Sequence, residues 1–201
     1  MKEIGDRYER YIGYLYERAG WVVDFNGLKK GVMDEGVDLF CHTGEITHIV
    51  QAKYWSDAFT AKNGIIAVIN KLAAFRNAYA VNRPLDESVF AVLVIKSKLG
   101  IGDKSYAEKR NVIVLDGLAI PKDYPIVKCV EKEGQKFFYL PFLGAKPQRL
   151  LDAELYGAGD WYDEIRVNYG NGDRYVHTVA QAEKLGYRYA GQRSRYGSRL
   201  S

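Results

Sequence analysis

Three polar residues interrupt what would otherwise read as a hydrophobic strand pair: Asp38 in "GVDLFCH", and Gln51 and Lys53 in "ITHIVQAKYW". Side chains on an extended strand alternate between faces, so Gln51 and Lys53 share one face while Val50, Ala52 and Tyr54 take the other. An ammonium on such a strand is costly without a counter-charge, and Asp38 on the adjoining strand is its natural partner. A carboxylate, an amide oxygen and a lysine meeting at a sheet edge can seat a divalent cation beside a phosphate, because hard cations take oxygen ligands and an ammonium offsets phosphoryl charge. The competing reading is an ordinary cross-strand ion pair between Asp38 and Lys53 on a solvated face. The combination favours chemistry: an acid, twelve residues with a turn inside them, then Gln-Ala-Lys, and upstream a helix bearing Glu9. Glu9 stands four residues after Gly5 on the same helical face, which leaves a side-chain-free spot for a close approach to the sheet.

The elements that must position these residues follow from periodicity. Ile4, Tyr8, Tyr11, Ile12, Leu15 and Ala19 recur at helical spacing, with Gly20 as a stop. "WVVDF" reads as a short strand and "NGLKKG" as a basic, glycine-bounded loop; the "HTGE" turn joins the Asp38 and Lys53 strands as a hairpin. Residues 61–80 carry Ile65, Ile69, Leu72, Ala73, Arg76 and Tyr79 along a stripe that is apolar except at Arg76. "SVFAVLVIKS" and "NVIVLDG" are apolar runs of the kind buried on both faces, with "IGDKSYAEKR" as a helical crossover between them. The order helix, three strands, helix, strand, helix, strand describes an α/β layer structure, a mixed central sheet flanked by helices.

After Gly117 the texture changes. "YPIVKCVEKEGQKFFYLPF" reads as a hairpin and "GAKPQRLLDAELYGAGD" as a linker. From about Trp161 a small strand-hairpin-helix module follows, with Ile165, Val167 and Tyr169 on one side of a strand, a turn at "GNGD", a Thr178–Gln181 capping box and Gly186 as a stop. The expected division is 1–117 for the core, 118–159 for the hairpin extension and linker, and 160–201 for the module.

A chain of 201 residues with 47% hydrophobic content can bury one substantial core and a small appended unit. The charged opening has no signal-peptide pattern and no apolar run reaches membrane-spanning length, so a cytoplasmic chain with no membrane partner is expected. Cys41 and Cys129 lack metal-ligand spacing and read as reduced core thiols. His42, His48 and His177 form no metal spacing either, and "GAGD" and "GNGD" read as turns. From Arg174 onward there are six Lys/Arg and one acid, so the net charge of +4 is a carboxy-terminal feature. There Arg174, Lys184, Arg188, Arg193, Arg195 and Arg199 interleave with Tyr175, Tyr187, Tyr189 and Tyr196, a pattern suited to holding a nucleic-acid backbone and stacking on bases. Arg174, Arg188, Arg193 and Arg195, with Lys29 and Lys30 of the basic loop, are the candidate nucleic-acid contacts. A small dimerisation or core-capping element with buried tyrosines is the alternative.

"GVMDEGVDLF" followed by "HIVQAKYW" resembles the Mrr-like branch of the PD-(D/E)xK nucleases, in which Gln takes the acidic position of the final motif. The opening "IGDRYERYIGYLYERAGW" is similar to that branch too, with Glu9 at its helical glutamate. The resemblance covers roughly residues 3–117. One departure is visible: the loop before the acid reads Gly31, Val32, Met33, where the family is often richer in glycine. The resemblance implies a restriction-endonuclease-like core and a metal-dependent endodeoxyribonuclease leaving 5′-phosphate and 3′-hydroxyl ends. It implies Glu9, Asp38, Gln51 and Lys53 as the catalytic set, and Mg²⁺, with Mn²⁺ as a substitute, held by Glu9, Asp38, Gln51 and the main-chain carbonyl of Ala52. DNA is then the partner, the setting is prokaryotic or phage-encoded, and cutting both strands of a duplex admits a homodimer. Two other functions share these residues: a structure-specific nuclease acting on junctions or flaps, and a DNA-binding protein on an inactive nuclease fold.

Overall fold

The computed structural model describes residues 2–30, 35–56, 64–84, 86–140, 162 and 165–190, without the side chains of Lys2, Glu3, Lys29 and Lys30. The chain divides into two compact units, Met1–Lys122 and Asp123–Ser201.

The first unit is α/β. It runs α1 (Lys2–Arg18), β1 (Val22–Phe25), α2 (Asn26–Lys30), β2 (Leu39–Thr43), β3 (Ile46–Lys53), α3 (Ile65–Val81), β4 (Ser88–Ile95), α4 (Ile101–Lys109) and β5 (Val112–Asp116). The strands form one mixed sheet in chain order: β1, β2 and β3 are antiparallel neighbours, and β3, β4 and β5 are parallel. A two-residue turn at Gly44 and Glu45, with Gly44 at φ 52°, returns β2 into β3 in the register Leu39–Val50.

Each face of the sheet is covered according to the alternation of its strands. Ile49, Leu93 and Ile95 pack with Ile69 and Leu72 of α3 and Ala107 of α4 in one cluster. Burying each of these isoleucine and leucine side chains contributes about 1.5–3 kcal/mol. The alternate residues of β3 face α1, where Tyr16 bonds His48 Nδ1 at 2.9 Å. Tyr8, Tyr11 and Ile12 form the buried stripe of α1, while Ile4 is exposed at its outer end. The expected spot for close approach, Gly5, meets only open space. It is Gly13 that the packing requires, since a Cβ there would overlap the Phe25 ring. The expected basic loop at "NGLKKG" is instead the short α2, because Gly27 N–H donates to Asp38 O (2.8 Å) and the Asn26 amide donates to Val37 O (2.7 Å), which fold the segment down.

In the second unit β6 (Val127–Lys132) and β7 (Gln135–Tyr139) form the expected hairpin, turning at Glu133 and Gly134, both at positive φ. β8 (Arg174–Val176) and β9 (Arg188–Tyr189) join the same sheet, in the order β8-β6-β7-β9. Hairpin and terminal module are therefore one unit rather than two, and α5 (Val179–Lys184) packs Ala182 against Cys129, Phe138 and Val176. The capping box of Thr178 and Gln181 is made in both directions, and Gly186 stands at φ 83°. The expected strand through Ile165, Val167 and Tyr169 is absent. Ile165 and Val167 are buried in an irregular segment against Val130 and Tyr139, and Tyr169 opens a 3-10 turn, because both carboxylate oxygens of Asp173 take backbone N–H groups, those of Glu131 and Asn168. Among the described residues no helix is long and apolar enough to cross a membrane.

Candidate active site

Asp38 lies one residue before β2, at the point where the β2–β3 ladder opens. Its N–H still donates to Val50 O (2.9 Å), but its carboxylate replaces the next rung: Oδ2 accepts the Ala52 N–H at 2.6 Å. With its own carbonyl bonded to Gly27 N–H, Asp38 is held at its amide, its carbonyl and its side chain. It is almost fully buried, and charge-assisted bonds of this kind keep an ionised carboxylate in place. Two residues at positive φ, Glu35 and Gly36, turn the chain into this position, and the Lys71 stem packs against Gly36.

Lys53 Nζ stands 3.8 Å from Asp38 Oδ2, with the lysine side chain 23% exposed, so the pair is neither a solvated surface contact nor fully dry. Oδ1 points elsewhere. The place a Cβ would occupy on Gly27 is 3.1 Å from Asp38 Oδ1 and 2.8 Å from Glu9 Oε2, which is itself a buried atom. Two carboxylate oxygens from α1 and from the start of β2 thus converge on one gap, kept open because residue 27 has no side chain. Gln51 is buried two residues before Lys53 and, by alternation, on the same face.

The main chain of Ala52 belongs to the same edge. Lys96 N–H donates to Lys53 O (3.0 Å), so Lys53 uses its backbone groups toward β4, and Ala52, one residue earlier, turns its own toward Asp38. Next to Glu9 in the chain, the fully buried Tyr8 meets Tyr54 edge-on at 5.3 Å, and Lys96 Nζ lies 4.8 Å from the Tyr54 ring centre. Burial, with smaller contributions from Tyr11 and Tyr54, holds the Tyr8 hydroxyl far above the ordinary phenol range, so it remains a neutral donor to Leu118 O at 2.8 Å.

The donor set fits a hard cation with few protein ligands: two carboxylates aimed at one gap, an amide on the neighbouring strand and a main-chain carbonyl at the same edge. Among the described residues no three His, Cys, Asp or Glu side chains gather at a metal-binding distance. A site with glutamine in place of a third acid has only Glu9 and Asp38 to offer as anions. Asn26 and Gly27 are not among the candidates that the sequence singles out. The signal was there as the "NG" dipeptide, but it reads locally as a turn and only the fold brings it over Asp38.

The remaining candidates are scattered. The side chains of Lys29 and Lys30 lie outside the described residues, as do residues 31–34 and Arg193, Arg195, Tyr196 and Arg199. Arg174 and Arg188 are exposed, but they sit on β8 and β9, the two opposite edges of the second sheet, about 14 Å apart by strand spacing. Arg174 donates to Gly172 O, and Arg188 lies over the Phe137 ring and donates to Gln135 Oε1. Tyr187 is core, not an exposed stacking surface. His42 bonds Thr47 Oγ1 (2.8 Å) and His48 packs between Tyr16, Trp21 and Phe90, so both histidines serve the hairpin. Cys41 and Cys129 are buried free thiols, and burial pushes both up, Cys129 to about 11. No family model matches the chain, and no match is found among the curated proteins or the solved structures.

Proposed function

We propose that this chain is a metal-dependent endodeoxyribonuclease of the Mrr-like type, built on a restriction-endonuclease-like core. The observation that carries the reading is the convergence of Glu9 Oε2 and Asp38 Oδ1 on the Gly27 gap, with Lys53 Nζ 3.8 Å from the other Asp38 oxygen. Glu9, Asp38, Gln51 and the Ala52 carbonyl would hold the ion, with Mg²⁺ as the expected metal and Mn²⁺ as a substitute. When bound, Mg²⁺ supplies Lewis-acid polarisation of a phosphoryl oxygen and acidifies the attacking water. Lys53 places a positive charge beside the phosphoryl oxygens as negative charge builds on them. The Ala52 N–H and Lys53 fix the Asp38 carboxylate so that no ligand has to be recruited during reaction. Tyr54, half-buried and next to Lys53, offers an aromatic surface against which a sugar or base can pack.

The basic stretch from Arg174 onward would add sequence-independent affinity for the backbone, in a cytoplasmic prokaryotic or phage setting, and two copies would supply the two sites that a double-strand cut needs. The test is incubation of the full chain with supercoiled, linear, branched and single-stranded DNA in Mg²⁺ or in chelator. Cleavage that needs the metal, is abolished in Asp38→Ala and leaves ligatable 5′-phosphate ends is expected. Absence of metal-dependent cleavage on all four substrates, or its persistence in Asp38→Ala, would overturn the proposal.

A further inference from the structure

A second charged feature lies on the outer side of the first unit, between α3 and α4, and shares no residue with the Glu9–Asp38–Lys53 site. It is a cleft of about 540 Å³. Its lining is unusual in kind: Arg76, Lys109 and Arg110 bring three cations, Asn70, Asn77 and Asn111 bring three amides, and no acid is among them. Two alanines of α3 complete it, leaving room where larger side chains would fill the groove.

Part of this has an ordinary explanation. Lys109 and Arg110 close α4, where cations complement the helix dipole. Arg76 has no such reason. It interrupts the apolar stripe of α3, its Nε is buried, and among the described residues that N–H has no hydrogen-bond partner. A buried donor left unsatisfied is destabilising, and native proteins rarely keep one without a role.

The cleft is also held in shape. Arg110 Nη2 donates to Tyr106 Oη (3.2 Å), and that hydroxyl donates to Asn70 Oδ1 (2.9 Å), a chain that ties the two helices together. Because Asn70 Oδ1 is engaged, the amide nitrogen is the end left to donate. Asn111 stands at φ 54°, a left-handed conformation that asparagine tolerates better than most residues, and this turn keeps it at the cleft mouth.

A donor-rich, cationic, acid-free lining selects a ligand with many acceptor oxygens and negative charge. Guanidinium groups fork phosphate, and amides satisfy the edges of a base or the hydroxyls of a sugar. The volume exceeds that of a single phosphate and falls within the range of small-molecule sites, about 300–1,000 Å³. The geometry points to a second anion site in the α3–α4 cleft, taking a phosphorylated ligand of nucleotide size through Arg76, Lys109 and Arg110. This site does not depend on the nuclease reading, and its readout is binding.

The experiment titrates the full chain calorimetrically with pyrophosphate, ADP and ATP in chelator at about 0.15 M salt, where surface electrostatics are screened beyond roughly 8 Å. A labelled single-stranded oligonucleotide is run in parallel. Saturable one-to-one binding of ADP or ATP is expected, weakened at least tenfold by Arg76→Met and by the double variant Lys109→Ala/Arg110→Ala, and unchanged in Asp38→Ala. Should Arg76→Met fail to fold by melting, the exposed double variant carries the test. The inference is overturned if neither ADP nor ATP binds saturably, pyrophosphate alone doing so included, if binding survives the double variant, or if Asp38→Ala removes it. Binding of the oligonucleotide alone, sensitive to the same variants, would assign the phosphates to a nucleic-acid strand and refute the nucleotide.

Discussion

Replacing Gly27 by alanine separates the candidate site from the fold that carries it. A Cβ at this position would stand 2.8 Å from Glu9 Oε2 and 3.1 Å from both Asp38 Oδ1 and Asp38 Cα, where ordinary contacts begin at 3.4 Å. Asp38 cannot retreat, being held through Val50, Gly27 and Ala52, so the displacement falls on the long, jointed Glu9 side chain. Its carboxylate must withdraw by roughly half an ångström, since steep repulsion at contact leaves no softer route. Gly27 is not among the glycines at positive φ, so alanine fits the backbone, and it gains up to about 1 kcal/mol in helix propensity. The 3.1 Å approaches to Asp38 remain and α2 must give by a few tenths of an ångström, so an overpacking cost of about 1–3 kcal/mol set against the propensity gain should lower net stability by up to about 2 kcal/mol, small against the 5–15 kcal/mol of a typical fold. The site should fare far worse, because Mg²⁺ demands ligands at about 2.0–2.1 Å in near-octahedral array. A misplacement of about 1 Å costs on the order of a hundredfold in rate, so about half of that predicts at least a tenfold loss. The measurements are plasmid cleavage against Mg²⁺ concentration and a melting curve on the same preparation. A variant that melts with the parent and cleaves at the parental rate, with the same metal dependence, would refute the claim that the Glu9 and Asp38 oxygens share one ion.

Asp38→Asn should retain an acceptor for the Ala52 N–H and so melt close to the parent while losing cleavage; Asp38→Ala leaves that buried N–H unpaired and should cost a further 1–3 kcal/mol or so by denaturant unfolding. Two glycines of α1 should respond in opposite directions: Gly13→Ala drives a methyl group into the Phe25 ring and should cost about 1–3 kcal/mol, whereas Gly5→Ala meets open space and should stabilise by up to about 1 kcal/mol, both read by urea unfolding. Burial lowers His48 below its ordinary 6.5, so the unfolded chain binds this proton more readily than the folded one. Its contribution is fully present above pH 6.5 and is lost as pH falls through the lower folded value. His48→Phe should thus flatten the decline of stability below pH 6.5, while lowering stability at pH 8 by about 1 kcal/mol because the Tyr16 hydroxyl loses its partner.

What could be read from the sequence is what alternation and local spacing encode. Gln51 and Lys53 stand out because period two is a property of the strand itself, and β4 reads as buried because its apolar run, Ala91 to Ile95, is continuous. The capping box at Thr178 lies within four residues and forms as read. Gly27 could not be weighed in the same way. Its importance depends on Asp38 returning beneath it through the Glu35–Gly36 turn, a tertiary event that the dipeptide "NG" does not announce. Gly5 misled for the same reason: a side-chain-free spot on the helix face of Glu9 is a local feature, but the close contact of α1 is at Gly13. In the second unit, Ile165 and Val167 kept their inward direction while losing their strand, because Asp173 captured the backbone amides that a ladder would have used.

The position of the site follows from one exchange in the sheet. Had the β2–β3 ladder continued past Leu39 and Val50, the Ala52 N–H would have met a backbone carbonyl, and the strands would have separated the α1 face from the α3 face. A carboxylate takes that rung instead. With a side-chain oxygen in place of a main-chain one, the regular pairing of β2 with β3 ends at Leu39 and Val50. Glu9 of α1 comes to the Gly27 gap beside Asp38 Oδ1, and Lys53, from the strand face that α3 covers, comes to Asp38 Oδ2. From Ile46 to Val50, β3 is paired on both sides, by β2 and by β4. Extending that pairing, by any change that lets a main-chain carbonyl bond the Ala52 N–H, should therefore strengthen the sheet and abolish the site together.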